Sequence, residues 1–274
     1  MRVRKVSGAL GAEVTGIDLR AALGDRGVFA ELRRLWLEHM VLFFRDQDLP
    51  PAEFMRFAGH FGEPVDYPMV KGLPDFPHII EVKKLPHERN AFGAVWHSDT
   101  VYLERPPMAS MLIARELPPF GGDTLFANMA LAYEALSPGL RRLLDGLKAV
   151  NSSAKADVTK TREDRLRTDG SEARRDFLVE HPAVRTHPET GRRALYVNPA
   201  HTVRFAGWTE EESAGLLEYL FGFQVRPEFT CRFEWRPGSI AFWDNRCAMH
   251  NPVNDYHGHK RLMHRITLAG DVPA

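Results

Sequence analysis

Cysteine is scarce in this chain: 274 residues contain only Cys231 and Cys247. That excludes a disulfide framework, and free thiols fit a reducing cytoplasm, the expected location. Charge of one sign is also lacking, because 36 Lys and Arg balance 36 Asp and Glu. A protein that grips phosphate backbones carries a basic excess, so nucleic acid is not an expected partner. No apolar run approaches the roughly 20 residues of a membrane helix. The basic start "MRVRKVSGALGAEVTG" leads into no apolar stretch of the signal-peptide kind, so no membrane partner is expected. Internal repeats and low-complexity linkers are absent too. The length suits one large domain or two small ones, with residues enough for a sizeable core.

What is present is mostly strand. "VLFFR" (41–45), "HIIEV" (78–82), "PMASMLIAREL" (107–117), "TLFANM" (124–129), "FTCRFEW", "GSIAFWDN" and "RLMHRITLAG" read as strands. "AVRTHPETGRRALYV" (183–197) reads as a hairpin turning at Pro188 and Gly191. Helical spacing marks 26–40, where Phe29, Leu32, Leu35, Trp36 and Met40 share a face. Short helices are expected over 51–62 and 137–146, the latter with Ser137 as N-cap and Gly146 as stop. A capping box, Thr209 with Glu212, opens a helix over 209–222. The charged stretch 158–177 reads as a mobile insertion. Many strands with few helices predict a mainly β fold, an antiparallel sandwich or barrel with peripheral helices.

"GAVWHSDTVYLERPP" (93–107) reads as strand, yet carries His97 and Asp99. In an extended chain these two share a face, so imidazole and carboxylate converge as two metal ligands could. The motif alone says little: 12 histidines and 36 acidic residues in 274 give about 1.6 His-x-acidic pairs by chance. The other such pair, His187 and Glu189, lies in the turn "THPETG", where side chains are expected to face water. His97 and Asp99 lie among aromatic and β-branched residues, where buried polar groups need partners. A third ligand is best sought at His250, which ends the apolar run "IAFWDNRCAMH"; His257 and His259 fall in a polar, Gly-containing loop. Two histidines and a carboxylate on a β scaffold form the facial arrangement of non-haem Fe(II) sites, and catalytic zinc uses the same set.

In "RLMHRITL" (261–268), alternation places Arg261 and Arg265 on one face with Met263 and Thr267. Two guanidinium groups about 13 Å apart along a strand would need anions if they faced the interior. The alternative is that both face solvent at a sheet edge.

Three blocks, "GALGAEVTGIDL", "VWHSDTVYLERPPMASMLIARELPPFGGDTLFANM" and "WDNRCAMHNPVNDYHGHKRLMHRITLAGDVP", resemble in this order the Fe(II)- and 2-oxoglutarate-dependent dioxygenases of the TauD/TfdA family. The resemblance covers almost the whole chain. It implies a single domain over 1–274 with the double-stranded β-helix (jelly-roll) fold, and a homo-oligomer. It places the iron ligands on His97, Asp99 and His250. Arg261 and Thr124 fall where the family holds the far carboxylate of 2-oxoglutarate. Arg265 falls on an arginine at the site mouth that helps bind co-substrate and the substrate's anionic group. Fe(II), 2-oxoglutarate and O2 are the implied cofactors. The implied substrate is a small organic anion: a sulfonate, sulfate ester or aryloxy acid. Taurine users carry His, Tyr and Asn at positions where this chain has Tyr67, Val70 and Gly93, and an aromatic where it has His201. Taurine itself is therefore not expected. Two other readings stay open at this point, a zinc hydrolase on the same ligands and a non-catalytic β-barrel binding protein.

Overall fold

The computed structural model of the protein describes residues 1–68, 70–155 and 176–274. Of the expected insertion 158–177, all but Asp176 and Phe177 lies outside the described residues.

The principal sheet has eight strands. Their order is Arg2–Lys5, Ala12–Thr15, Val41–Phe44, Ile240–Asp244, Ala109–Glu116, Arg261–Leu268 and Pro64–Val65, with Ile80–Lys84 also paired to Arg261–Leu268. Pairing is antiparallel except between Ala12–Thr15 and Val41–Phe44. A second sheet of three strands, Thr230–Phe233, Thr124–Asn128 and Ala248–Pro252, covers one face of the first. The sheets pack face to face without closing into a barrel. A third sheet joins Thr202–Phe205, Lys148–Ser152 and Leu178–Pro182, three strands that no local sequence signal announced. The expected hairpin is present as Val184–Thr186 with Arg193–Leu195.

Why the strand sequences are apolar on both faces follows from this layering. Val41, Phe43, Leu112, Ala241, Trp243 and Met263 point at the second sheet and meet Phe126, Phe233 and Met249. Leu42, Phe44, Met111, Ile113, Ile240, Phe242 and Ile266 point the other way. There they meet Phe29, Leu32 and Trp36 of helix Arg26–His39 and Phe54 and Phe57 of helix Pro51–Gly59. Trp36 stacks on Phe242 at 4.5 Å between ring centres. Asp25 caps the first helix, accepting from the Gly27 and Val28 amides. Helices Pro138–Asp145 and Glu210–Phe223 start where the sequence indicated, with Ser137 as N-cap and the Thr209–Glu212 capping box in place.

Two expectations need correction. Residues 93–107 do not form a strand: one bridge, His97 to His250, is followed by turns through Thr100. Thr100 takes a left-handed φ of 42°, which a β-branched residue adopts only under tertiary constraint. And His187 does not face water. The hairpin turn folds inward, leaving His187 2% exposed. Its Nδ1 accepts from the Glu189 and Thr190 amides at 3.2 Å each, and its Nε2 donates to Asp244 Oδ2 at 3.0 Å. A hairpin signal reports the turn but not the surface on which it lands. His257, by contrast, is exposed as expected.

Candidate metal centre

His97 and His250 face each other across an antiparallel bridge. The His97 amide donates to the His250 carbonyl at 3.0 Å, and the His250 amide to the His97 carbonyl at 2.8 Å. Residues paired in this way project side chains to the same side, and the two rings lie 4.1 Å apart. The turn after His97 then brings Asp99 back beneath them. His97 Nε2 stands 3.5 Å, and His250 Nε2 3.8 Å, from Asp99 Oδ1. One ligand atom from each of the three residues lies within 4.8 Å of the others, and all three residues are buried. The convergence read from the His-x-Asp spacing is therefore present, but a turn and a bridge produce it, not a pleat.

The donor set fits a divalent ion. His97 Nδ1 donates to the Val95 carbonyl at 2.7 Å, which leaves the Nε2 lone pair free to ligate. Asp99 Oδ1 is buried with no hydrogen-bond partner among the described residues, an arrangement that is unfavourable without a cation. Burial alone would raise the Asp99 pKa, but the Arg265 guanidinium, then His250 and His97, hold it well below the usual carboxylate range. Burial, with His97 alongside, pushes His250 well below its usual value, so it is neutral and can ligate.

The second metal-like cluster, His187, Asp244 and Cys247, has the opposite character. His187 presents a proton, not a lone pair, to Asp244, and Asp244 is further saturated by Arg246 through Nε at 2.8 Å and Nη2 at 2.7 Å. Burial raises the Cys247 thiol well above its usual pKa. This cluster is a structural network.

A cavity opens beside His97, Asp99 and His250. Thr124, Arg261, Arg265 and Gly93 line it with His97 and His250, together with Phe92, Leu112 and Trp243. Both arginines face inward, each 4% exposed, so the solvent-facing alternative is excluded. Arg261 is held over the rings of Trp235 and Tyr256, at 5.7 and 5.9 Å, while its Nε and Nη2 have no partner among the described residues. Trp235 Nε1 donates to Thr124 Oγ1 at 3.0 Å, so the Thr124 hydroxyl proton is free for another acceptor. Arg265 is deeper than a residue at the mouth: it ion-pairs with Asp99 Oδ2, lies 4.9 Å from the Tyr67 ring centre, and its Nε has no partner among the described residues.

Two small apolar clusters flank the site. One contains Tyr67, Val70 and Ile80 with Phe92 beside them, and the other Tyr102 with Leu103 and Phe177. Burial raises the Tyr67 pKa to about 12, so its hydroxyl stays protonated. His201 sits edge-on to Tyr102 and His97, 5.1 and 6.1 Å between ring centres. Burial and then His97 push its pKa down to about 3, so it is neutral. Its Nδ1 is buried and unpartnered among the described residues. Gly93 has φ +72°, and a Cβ there would come 3.0 Å from His97 Cε1. Sequence reasoning missed Ser110, Asn245, Trp235 and Trp243. The available signal was polarity: Ser110 interrupts the apolar run "MASMLIA".

The model of the taurine catabolism dioxygenase TauD, TfdA family matches residues 2–267. An alkylsulfatase from Acinetobacter baylyi is 36% identical over 279 residues, 99% of this chain and 86% of that protein. An alpha-ketoglutarate-dependent sulfate ester dioxygenase from Pseudomonas putida is also 36% identical, over 99% of this chain and 90% of its own length. The crystal structure of a taurine dioxygenase from Burkholderia xenovorans superposes with a TM-score of 0.82 at 37% identity, covering 100% of this chain and 90% of that one.

Proposed function

Because the chain belongs to the TauD/TfdA family and is therefore an Fe(II)- and 2-oxoglutarate-dependent dioxygenase, we propose that it oxidises an alkyl sulfate ester at the carbon next to the ester oxygen. His97, Asp99 and His250 would hold the iron. Arg261 and Thr124 would hold the far carboxylate of 2-oxoglutarate, and Arg265 would face its other end and the substrate's anionic group. Bound iron, with 2-oxoglutarate and O2, supplies the oxidising power to replace a C–H bond by C–OH, releasing succinate and CO2. The resulting hemiacetal-type ester breaks its C–O bond to sulfate, giving an aldehyde and hydrogen sulfate.

The protein's own residues bind, orient and exclude water. The observation that carries the reading is Arg261: a buried guanidinium with two nitrogens unpaired among the described residues, in the same cavity as His97 and His250, fits a carboxylate that arrives with the co-substrate. For the substrate, the neutral donors Tyr67 and His201 and the free Nε of Arg265 suit an oxyanion, and the apolar clusters around Tyr67 and Tyr102 suit a hydrocarbon chain. Relatives named for sulfate esters support the same class. The neighbour named for taurine is weighed against Tyr67, Val70 and Gly93. An asparagine at 93 would crowd His97, and the polar set that grips an aminosulfonate is not present. Succinate release should be greatest with linear alkyl sulfates in a panel that also contains taurine, aryloxy acids and neutral amino acids. Faster turnover of taurine, or a neutral compound as the best substrate, refutes the proposal.

A further inference from the structure

Asp99 has two oxygens with opposite fates. Oδ1 has no hydrogen-bond partner among the described residues and faces His97 and His250. Oδ2 accepts from Ser110 Oγ at 2.6 Å and pairs with Arg265. Ser110 is itself fixed. It is fully buried, on strand Ala109–Glu116, and its oxygen accepts from Asn245 Nδ2 at 3.0 Å and Arg265 Nη2 at 3.2 Å. With both acceptor positions filled by N–H donors, its one proton can go only to Asp99. Asn245 is oriented in turn, because its Oδ1 accepts from Trp243 Nε1 at 2.9 Å and from the Asp99 amide at 3.4 Å. A flipped amide would turn a donor toward Trp243 Nε1–H, so the direction of the whole chain is set.

We propose that the Trp243–Asn245–Ser110 chain positions Asp99 so that only Oδ1 can reach a metal. This inference rests on the reading of His97, Asp99 and His250 as ligands. A carboxylate free to bind through both oxygens would occupy a coordination position that a chelating co-substrate needs. Ser110 and Asn245 are thus positioning residues: neither lines the cavity, and they keep coordination sites open.

The test measures two affinities by calorimetry on the full chain: Mn(II) for the metal-free protein, and 2-oxoglutarate for the Mn(II)-loaded protein without O2. In Ser110→Ala, 2-oxoglutarate should bind about tenfold more weakly, the scale of lost outer-shell partners, while Mn(II) binds as well as or better than in the wild type. Asn245→Asp keeps the acceptor for Trp243 but removes the donor to Ser110, and should show the same split. A purely structural role would weaken both affinities together or change only the melting temperature, and either outcome in the two variants overturns the proposal, as does unchanged 2-oxoglutarate affinity. Failure of the wild type to bind Mn(II) or 2-oxoglutarate at all would instead overturn the reading of the site.

Discussion

Replacing Arg261 by methionine should move stability and co-substrate affinity in opposite directions. Arg261 is 4% exposed, with Nε and Nη2 unpartnered among the described residues. An apolar side chain of similar length removes a buried, unsatisfied charge, which stabilises by about 1–3 kcal/mol. It also loses the contacts over Trp235 and Tyr256, each about 0.5–1 kcal/mol. The net expectation is a gain of about 0.5 kcal/mol, or roughly 1 °C in melting temperature for a chain of this size. Loss of a charge-assisted carboxylate pair weakens 2-oxoglutarate binding by about 1.5–3 kcal/mol, roughly 10- to 150-fold. Wild-type protein with metal and co-substrate at 100 times its dissociation constant gains about 2.7 kcal/mol, and the variant should lose at least about half of that gain at the same concentration. Differential scanning calorimetry with and without 2-oxoglutarate reads both quantities. A variant that is less stable and binds 2-oxoglutarate normally would remove Arg261 from the site.

His97→Ala, Asp99→Ala and His250→Ala should each abolish turnover and lower Mn(II) affinity measured by calorimetry, since each removes one of the three proposed ligands. His187→Ala should leave Mn(II) affinity intact yet destabilise the fold by about 1–3 kcal/mol in urea titrations, because Asp244 and two turn amides lose a buried partner. Burial alone would raise the Asp244 pKa, but Arg246 and His187 outweigh it and bring it to about 2 from 3.8. A depressed carboxyl pKa stabilises above the unfolded value and the contribution is lost as pH falls, so Asp244 should add roughly 2 kcal/mol above pH 4 that disappears toward pH 2. Asp244→Asn should flatten that limb of the stability–pH curve.

How much of this was legible depended on whether the cause was local. Caps and periodicity are local, so helices Arg26–His39 and Glu210–Phe223 were readable from their sequences. The alternation in "RLMHRITL" correctly paired Arg261 with Arg265, but which face was buried depended on the second sheet. The candidate trio His97, Asp99 and His250 was readable as residue types, but not as strand positions, because the device that assembles it, a bridge between positions 97 and 250, joins segments 153 residues apart. His187 shows the same limit from the other side: its turn was readable and its landing place on Asp244 was not. Ser110 and Asn245 carry no motif of their own, and only their shared contact with Asp99 and Arg265 gives them meaning.

The most direct test is product stoichiometry from a linear alkyl sulfate such as hexyl sulfate. With Fe(II), 2-oxoglutarate and O2, the protein should release aldehyde, sulfate and succinate in equal amounts, and omission of 2-oxoglutarate should stop all three. Sulfate released with zinc in the absence of 2-oxoglutarate, with an alcohol in place of the aldehyde, would contradict the account.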